Sequence, residues 1–392
     1  MKILMLQDFF GVDCSYQENL LTEYYVKMGF EVVVISSTFE SVFDYTSDNY
    51  NNKLKRKELV YKGGKIIRLP YQINILNKLR RHKGVYDILQ IEKPDLIYLH
   101  DIHLNVREAV IYKRKHPECK IIMDYHTDYS NSAKNWLSLN ILHKIIRKKI
   151  FYKYINCIDR IFPITPLSAT FLHEVYGVPF NKMELLPLGC DYDLALETMK
   201  KTKKDDIKQY FNIKNDDFVI ISGGKLEPVK KTELIIDALK ITKNDKNIHL
   251  IIFGEHSKGY EKYYRDLIER ARGLNVHFTG WITIEKILEI MTISNLAIFP
   301  SSQSVLWQQS IGMHLPLIVG DLGGQNAGYL NRENNLISLP KEKINATNIA
   351  EHINNFISNP SLEYEMRKRS QKVASEYIDY RIICKKTLSV LQ

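Results

Sequence analysis

The sequence predicts an α/β protein with two Rossmann-like domains, each built on a parallel sheet. Short runs of β-branched and apolar residues, bounded by Gly or Pro, recur along the chain and are typical of buried strands in a parallel sheet. Segments with helical spacing of apolar residues lie between these runs. Strands that alternate with helices form parallel sheets with helices on both faces. A length of 392 residues is enough for two or three such domains.

Strand-like runs occur in both halves of the chain. The first half is predicted to contain strands at Lys2–Gln7, Glu31–Ser36, Lys65–Leu69, Leu96–His100, Lys120–Tyr125, Arg160–Thr165 and Met183–Leu188. The second half is predicted to contain strands at Phe218–Ser222, His249–Phe253, Val276–Thr279, Leu296–Pro300, Pro316–Gly320 and Asn335–Leu339. Helices are predicted at Gln17–Met28, Thr232–Lys240, Tyr260–Ala271, Ile284–Met291, Val305–Met313, Glu363–Ala374 and Tyr380–Gln392.

The boundary between the two domains is predicted near Cys190. Pro187 and Gly189 precede this point, and residues 200–206 form a charged stretch without an apolar period. We therefore expect a linker over Cys190–Asp205. The predicted domains are residues 1–190 and 191–375, followed by a C-terminal helix over residues 376–392.

Bulk properties indicate a cytoplasmic protein. The apolar run at the start of the chain is broken by Gln7 and Asp8, which is not typical of a signal peptide. No stretch approaches the ~20 apolar residues of a membrane-spanning helix. The five cysteines include no CxxC pair, which favours reduced thiols and disfavours a structural zinc site.

The formal charge of +10 indicates an anionic partner. A nucleic acid is disfavoured because no helix-turn-helix, RNP or finger pattern is present. A nucleotide sugar needs only a few cations, whereas an anionic membrane surface agrees with basic clusters in the first half of the chain. The sharpest cluster, Leu139–Ile155, predicts a basic amphipathic helix that could lie peripherally on the inner face of the membrane. The alternative is a surface helix packed on its own sheet.

Two strand-to-helix turns carry the chemistry of the second half. The run Phe218–Ser222 leads into Gly223 and Gly224, and Lys225 and Lys230 follow. The run that ends at Pro300 leads into small polar residues and then a helix. Two such turns, one with paired cations and one with small polar residues at a helix start, predict a diphosphate cradle.

These motifs, in this order, resemble the C-terminal half of retaining GT-B glycosyltransferases of family 4. The pattern G-[RK]-L-x-x-x-K-G is matched by Gly224, Lys225, Leu226 and Lys230. A later P-S and a G-x-P-V-[IV] segment are matched by Pro300, Ser301 and the run from Pro316 to Val319. Pro187–Asp191 occupies the position of the P-N-G-V-D motif, which lies between the two domains in the family. Gly323-Gly324 occupies the position of the G-G pair that usually follows the last core strand. The resemblance implies that the two sheets face an interdomain cleft and that the last helix crosses back to the N-terminal domain.

The resemblance implies that Lys225 and Lys230 contact the donor diphosphate as catalytic residues, beside the backbone of Gly224. Relatives more often have Arg at the first position, and Lys keeps the charge but loses the bidentate fork. The alternative for both side chains is that they are solvated lysines.

The segment Ser301–Gln309 departs from the family pattern, which has two Glu residues here. Gln309 occupies the position of the second Glu, and the resemblance implies that it contacts the ribose. The alternative is that Gln309 lies on the helix surface without a role in binding. Gln303 or Ser304 is nearest to the first Glu, which holds sugar hydroxyls. As an N-cap, Ser304 would leave the amides of Val305 and Leu306 for a phosphate.

In the first half, His126 follows a predicted strand, where relatives often have a His near the reacting sugar. His100 and His103 follow another predicted strand end and are alternative candidates for the same role. Gly11 is the one match to a Gly-Gly loop that relatives place against the donor. In the second half, Glu255 follows Gly254 where relatives often have G-x-G, so we expect it near the donor.

No metal site is expected. His100, Asp101 and His103 could suggest ligands but lack further partners at a suitable spacing. Asp191-Tyr192-Asp193 has the letters of a D-x-D motif, and its place in the predicted linker favours a structural reading.

The function implied is a metal-independent hexosyltransferase without a cofactor. It would use a nucleotide sugar, with a UDP-sugar as the first choice, and a glycan or lipid-linked acceptor in surface polysaccharide or glycoconjugate synthesis. Because the usual Glu residues are replaced, a non-catalytic GT-B-like partner subunit remains an alternative. A sugar-nucleotide epimerase is a third possibility, although it needs carboxylates that the sequence does not place.

Overall fold

A computed structural model describes residues 1–391 except 13, 42–44, 46–54, 244–246, 302 and 323–326. Gly323-Gly324 of the family pattern lies outside the described residues. The chain divides into two compact units, each with its own parallel sheet. Unit 1 comprises Met1–Pro187 and Tyr380–Gln392, and unit 2 comprises Leu188–Asp379. The prediction of an α/β protein with two Rossmann-like domains is confirmed.

Unit 1 contains a seven-stranded sheet with the order β3-β4-β2-β1-β7-β8-β9. Only the edge strand β3 is antiparallel to its neighbour. A separate antiparallel hairpin is formed by β5 and β6. The strands are β1 (Lys2–Leu6), β2 (Glu31–Ser37), β3 (Lys57–Tyr61), β4 (Gly64–Leu69), β5 (Tyr71–Ile75), β6 (Leu79–His82), β7 (Leu96–His100), β8 (Lys120–Tyr125) and β9 (Arg160–Pro163).

Helices cover both faces of the unit 1 sheet. Successive residues of β1 show why: Ile3 and Met5 pack into one apolar cluster, and Leu4 and Leu6 into another on the opposite face. The α-helices are α1 (Gln17–Lys27), α2 (Val85–Glu92), α3 (Val106–Lys115), α4 (Lys148–Tyr152), α5 (Pro166–Phe171) and, from the end of the chain, α14 (Tyr380–Leu388). π-helical segments span Ser138–Arg147 and Leu172–Tyr176.

Unit 2 contains a six-stranded parallel sheet with the order β12-β11-β10-β13-β14-β15. Its strands are β10 (Phe218–Gly223), β11 (Ile248–Phe253), β12 (Val276–Gly280), β13 (Leu296–Phe299), β14 (Leu317–Asp321) and β15 (Leu336–Pro340). Its α-helices are α6 (Tyr192–Lys201), α7 (Lys204–Tyr210), α8 (Glu233–Ile241), α9 (Glu261–Arg270), α10 (Ile284–Met291), α11 (Leu306–Gly312), α12 (Ala346–Ser358) and α13 (Pro360–Val373). A π-helical segment spans Ala374–Ile378.

The predicted linker over Cys190–Asp205 is wrong, because this stretch forms α6 and the start of α7. The Asp191 side chain accepts a hydrogen bond from the Leu194 backbone N–H and caps α6. Cys190 and Ala195 are fully buried in the core of unit 2. The chain passes between the units at 187–188 and 379–380. The sequence predicted these boundaries at 190–191 and 375–376. Cys190 belongs to unit 2 because its N–H donates to the carbonyl of Ile378.

Two further differences concern strands in unit 1. The predicted strand Met183–Leu188 is wrong, since the segment makes one isolated bridge, between Met183 and Ile161, and two backbone hydrogen bonds to β9 but is not a strand of the sheet. Strands β3, β5 and β6 were not predicted. The predicted basic helix Leu139–Ile155 is present as the π-helix followed by α4. Among the described residues, none of the helices combines the length and apolar character that crossing a membrane requires.

Candidate functional site

The carboxyl ends of β10 and β13 bring the two predicted turns of unit 2 together. These strands are direct neighbours, with Ile220 paired to Leu296. A short 3₁₀ turn over Pro228–Lys230 then carries Lys230 towards the segment after β13. The Lys230 Nζ donates to the carbonyl oxygen of Gln303 at 3.3 Å. The two turns that the sequence singled out therefore form one site.

A small pocket lies between these turns. Lys230, Ser222 and Gly223 line one side, and Ser301 and Ser304 line the other. The hydroxyl of Ser301 is buried and has no hydrogen-bond partner within the described part of the chain. A buried hydroxyl without a partner is destabilising unless a ligand or a water completes its hydrogen bonds. The pocket thus offers a cation and a hydroxyl donor side by side, which suits a phosphate oxygen.

The charge of Lys230 is only partly solvated. Burial lowers the pKa of Lys230, Glu227 opposes this change, and Lys225 reinforces it. A bound anion would compensate the burial and restore the preference for the charged form. Lys225, by contrast, is exposed at the rim. Both predicted lysines lie at this edge of the sheet, and Lys230 is the more enclosed.

Glycines allow the strand ends to approach closely. Gly224 has a φ of +111° and Gly254 a φ of +102°, which L side chains rarely adopt. A Cβ on Gly254 would lie 1.9 Å from the carbonyl oxygen of Gly224. The N–H of Leu226 also donates to the carbonyl of Glu255 at 2.9 Å. Contact between the β10 and β11 turns therefore fixes the backbone beside Lys225.

The polar residues after β13 make hydrogen bonds within unit 2. Gln303 Nε2 donates to the Tyr329 hydroxyl at 3.1 Å, which orients the amide. Ser304 Oγ accepts a hydrogen bond from the Leu306 N–H at 3.3 Å, so the expected free amide of Leu306 is wrong. Val305 is itself exposed at the start of α11. This helix spans seven residues, too short for a strong terminal dipole.

Two other predicted residues of unit 2 differ in exposure. Gln309 lies on α11 with 5% of its surface exposed, so it is not a helix-surface residue. Glu255 is exposed after β11, with its Oε1 near Gly280 at the end of β12. Glu255 therefore lies two strands away from the β13 turn.

In unit 1, the two competing histidines belong to one cluster. His126 Nε2 and His100 Nδ1 lie 3.2 Å and 3.1 Å from the same oxygen of Asp124. Tyr98 donates its hydroxyl to that oxygen, and the Asp101 N–H donates to the other. Asp124 is fully buried on β8, next to β7. The buried carboxylate thus positions both imidazoles.

Electrostatics favour the charged forms of Asp124 and His100. Burial alone would raise the pKa of Asp124, but His100 and His126 outweigh it and hold that pKa far below its ordinary value. Burial alone would lower the pKa of His100, but Asp124 outweighs it and raises the pKa of His100 to about 10. At neutral pH, His100 is therefore a cation paired with the Asp124 carboxylate.

Two groups in unit 1 have the composition of metal ligands, and both differ from the sequence candidate. His100, Asp124 and His126 offer ligand atoms within 4.8 Å of one another, and so do Asp8, His82 and His103. Arg80 pairs with Asp8 at 2.6 Å, which disfavours a cation at the second group. In the first group, Asp124 already accepts hydrogen bonds from the Tyr98 hydroxyl and the Asp101 backbone N–H.

Gly11 follows β1 in a tight turn of unit 1. Its carbonyl accepts a hydrogen bond from Asn19 Nδ2 at 2.8 Å. A Cβ on Gly11 would lie 2.7 Å from the sulfur of Cys14, so a side chain at this position would displace that thiol. The role of its backbone in donor binding stays a prediction.

The sequence did not predict three residues of the candidate sites. They are Asp124 in unit 1, and Tyr329 and the hydroxyl donor Ser301 in unit 2. Asp124 carried a usable signal, because an Asp inside an apolar strand is unusual and needs a buried partner. Tyr329 carried none, because its link to Gln303 spans 26 residues.

Comparisons with known proteins agree with this architecture. Residues 203–373 match the family described as Glycosyl transferases group 1, and residues 20–194 match Glycosyltransferase Family 4. The chain is 23% identical over 252 residues to lipopolysaccharide 1,2-N-acetylglucosaminetransferase of Salmonella typhimurium, which covers 62% of this chain and 56% of that protein. It is 24% identical over 257 residues to an uncharacterized glycosyltransferase of Methanocaldococcus jannaschii, covering 62% and 59%. These alignments span less than two thirds of either relative.

Solved structures match over the whole chain. HepE of Anabaena, crystallised in complex with UDP, has a TM-score of 0.69 at 17% identity and covers 100% of this chain and 99% of that one. A glycosyltransferase from Rickettsia africae has a TM-score of 0.69 at 13% identity, covering 100% and 97%. At these identities the likeness shows the fold. With family matches in both halves and this fold, the chain belongs to the group 1, family 4 glycosyltransferases of GT-B type.

Proposed function

We propose that the protein is a retaining glycosyltransferase that moves a hexosyl group from a nucleotide sugar to a hydroxyl of a glycan or lipid-linked acceptor. The observation that carries the proposal is the contact between Lys230 and the Gln303 carbonyl beside the unpartnered Ser301 hydroxyl. A UDP-sugar is the first choice of donor, supported by the UDP in the Anabaena HepE crystals. The Salmonella relative, named for lipopolysaccharide, supports a role in surface polysaccharide or glycoconjugate synthesis.

Unit 2 would bind the donor diphosphate. As the bond from the anomeric carbon to the phosphate oxygen breaks, negative charge grows on the leaving diphosphate. Lys230 and Lys225 would stabilise that charge without a metal ion, and Ser301 would donate a hydrogen bond to a phosphate oxygen. The acceptor oxygen forms the new bond, and its proton passes to the leaving phosphate on the same face of the sugar. Gln309 and Gln303 are proposed contacts for the ribose and the sugar.

Unit 1 would bind the acceptor and supply His126. The hydrogen bond to Asp124 fixes the orientation of this imidazole, and none of the described residues bonds its Nδ1. We propose that Nδ1 contacts a hydroxyl near the reacting carbon. Gly11 and Glu255 remain proposed backbone and side-chain contacts of the donor.

The test is nucleoside diphosphate release from a panel of UDP-, GDP- and CDP-sugars with membrane extract as the acceptor source. Release from one donor that depends on the extract is expected. Calorimetry with the free diphosphates separates the alternatives: binding of none would favour a non-catalytic partner subunit. Conversion of one nucleotide sugar into another without acceptor would favour an epimerase.

A further inference from the structure

The hairpin β5–β6 carries an exposed apolar tip. Leu76 and Asn77 are the two central residues of the turn Ile75–Lys78, with φ values of +50° and +56°. A turn of this type favours Asn-Gly, because a side chain such as that of leucine is strained at positive φ. Leu76 nevertheless stands there with 87% of its surface exposed, and Ile75 beside it is 53% exposed. Strain combined with an exposed apolar side chain indicates a functional constraint at the tip.

The start of the π-helix presents a second apolar surface. Trp136 and Leu137 precede it with 67% and 68% of their surfaces exposed, and Ile145 on the helix is 55% exposed. The opposite side of the helix is anchored, since His143 is fully buried and bonds the Tyr176 hydroxyl at 2.8 Å. The exposed side is therefore a fixed surface of unit 1.

The hairpin and the helix together form a groove of about 510 Å³. We call it the hairpin–helix groove; its apolar lining includes Ile75, Leu76, Leu79, Leu137, Ile141 and Ile146. The Arg147 guanidinium ties the two elements by donating to the Lys78 carbonyl at 2.9 Å. A volume of this size accommodates part of one hydrocarbon chain.

A cationic notch adjoins the groove and shares Lys78 and Leu79 with it. Lys78, Arg80, His103 and Arg147 line this notch together with Asp8. Arg80 is paired with Asp8, whereas no described carboxylate forms an ion pair with Lys78 or Arg147. Residues 129–158 contain six Lys or Arg and no Asp or Glu. The charge next to the apolar groove is therefore strongly positive.

An apolar groove that ends in cations is complementary to a lipid with a phosphate head. We propose that the hairpin–helix groove holds the hydrocarbon chain of such a membrane lipid, with its phosphate at Lys78 and Arg147. Leu76, Trp136 and Leu137 then insert into the interface, which suits an amphipathic surface on an anionic membrane. This rests on the proposed function and names its acceptor class, a sugar acceptor linked to a lipid phosphate.

The experiment is flotation of the full-length protein with vesicles of phosphatidylcholine, of phosphatidylcholine with phosphatidylglycerol, and of phosphatidylcholine with a polyprenyl phosphate. Binding to both anionic mixtures, tighter for polyprenyl phosphate, is expected. The double variant Leu76→Ser/Leu137→Ser should weaken binding at least about tenfold, and Lys78→Gln about fivefold. The matched controls Val60→Ser and Lys57→Gln, on the edge strand β3, should bind as the wild type does; Val60 is 75% exposed.

Equal binding to neutral and anionic vesicles, or wild-type binding by the double variant, would overturn the proposal. Competition by inorganic phosphate alone would also overturn it, because the notch would then be a free-phosphate site. Tighter binding to phosphatidylglycerol than to polyprenyl phosphate would contradict the acceptor class. Calorimetry with UDP on the same variants distinguishes failure of this proposal from failure of the proposed function. The double variant should bind UDP as the wild type does. Absence of UDP binding by the wild type would contradict the proposed function and not the lipid site.

Discussion

Lys230 and Gln303 join the two strand-end turns of unit 2, with the lysine Nζ 3.3 Å from the glutamine carbonyl oxygen. The two residues are 73 positions apart in the chain, yet their strands β10 and β13 are neighbours in the sheet. A cation held in this way next to the buried Ser301 hydroxyl is the basis of the donor site that we propose.

Removing the cation should reduce catalysis more than stability. We expect Lys230→Ala to lower turnover roughly a hundredfold, because a preorganised charge on the leaving group is lost. Lys230→Arg keeps the charge and should retain more activity than the alanine variant. Initial rates of diphosphate release measure the effect, with Lys262→Ala, an exposed lysine on α9, as the control. Equal rates for Lys230→Ala and the control would contradict the assigned role.

The Ser301 hydroxyl should contribute to ligand binding and not to folding. Since it has no described partner, Ser301→Ala should change the free energy of unfolding by less than about 0.5 kcal/mol, while UDP binding weakens by about 1 kcal/mol. Ser310→Ala is the control, because the buried Ser310 hydroxyl donates to the Leu306 carbonyl at 2.8 Å. That variant should lose about 1 kcal/mol of stability and keep its UDP affinity. Urea unfolding and calorimetry give both quantities; a large loss of stability in Ser301→Ala would refute the idea.

Crowding should make Gly254 intolerant of a side chain. A Cβ there would lie 1.9 Å from the Gly224 carbonyl oxygen, whereas Gly259, also at positive φ, has nothing within 4 Å. We expect Gly254→Ala to destabilise the protein by about 3 kcal/mol and Gly259→Ala by about 1 kcal/mol. Thermal unfolding of the two variants tests this difference. Similar melting temperatures would show that the β10 and β11 turns can separate freely.

The His100–Asp124 pair should make stability depend on pH. The pKa of His100 is raised from 6.5 to about 10, so its stabilising contribution is complete below 6.5 and is lost as pH rises towards 10. The pKa of Asp124 is lowered from 3.8, so its contribution is present above 3.8 and is lost as pH falls further. The pair therefore stabilises most between these two ordinary values.

His100→Gln measures that contribution. It should reduce the free energy of unfolding by about 2 kcal/mol near pH 6, and the difference from wild type should shrink towards about pH 10. His116→Gln, at a half-buried histidine after α3, is the comparison variant. Urea unfolding across this range supplies the data. A difference that grows with pH would mean that His100 is neutral in the folded protein.

Much of the fold followed from the sequence because its strands are short apolar runs with helices between them. The edge strand β3 and the hairpin did not, since β6 consists of Leu79, Arg80, Arg81 and His82 and lacks apolar alternation. The turn at Leu76 and Asn77 also lacks the glycine that would have indicated it. The predicted linker was wrong because α6 buries only Tyr192, Ala195 and Thr198 and ends in a charged stretch, so its sequence resembles a loop.

The site residues that lie on one turn could be predicted from the sequence. The residues that packing brings together from different strands could not. Gly224, Lys225 and Lys230 share a single turn, so spacing alone brought them together. Asp124 contacts His100 from the neighbouring strand, and only the sheet register places those side chains side by side. The apolar wall opposite the amphipathic helix comes from the hairpin, which is distant in sequence.

A crystal structure of the protein soaked with UDP examines the donor site most directly. Our account predicts the diphosphate at the carboxyl ends of β10 and β13, with oxygens within hydrogen-bond distance of Lys230 Nζ and Ser301 Oγ. UDP bound elsewhere in unit 2, with Lys230 still on the Gln303 carbonyl and the Ser301 hydroxyl unpartnered, would contradict it.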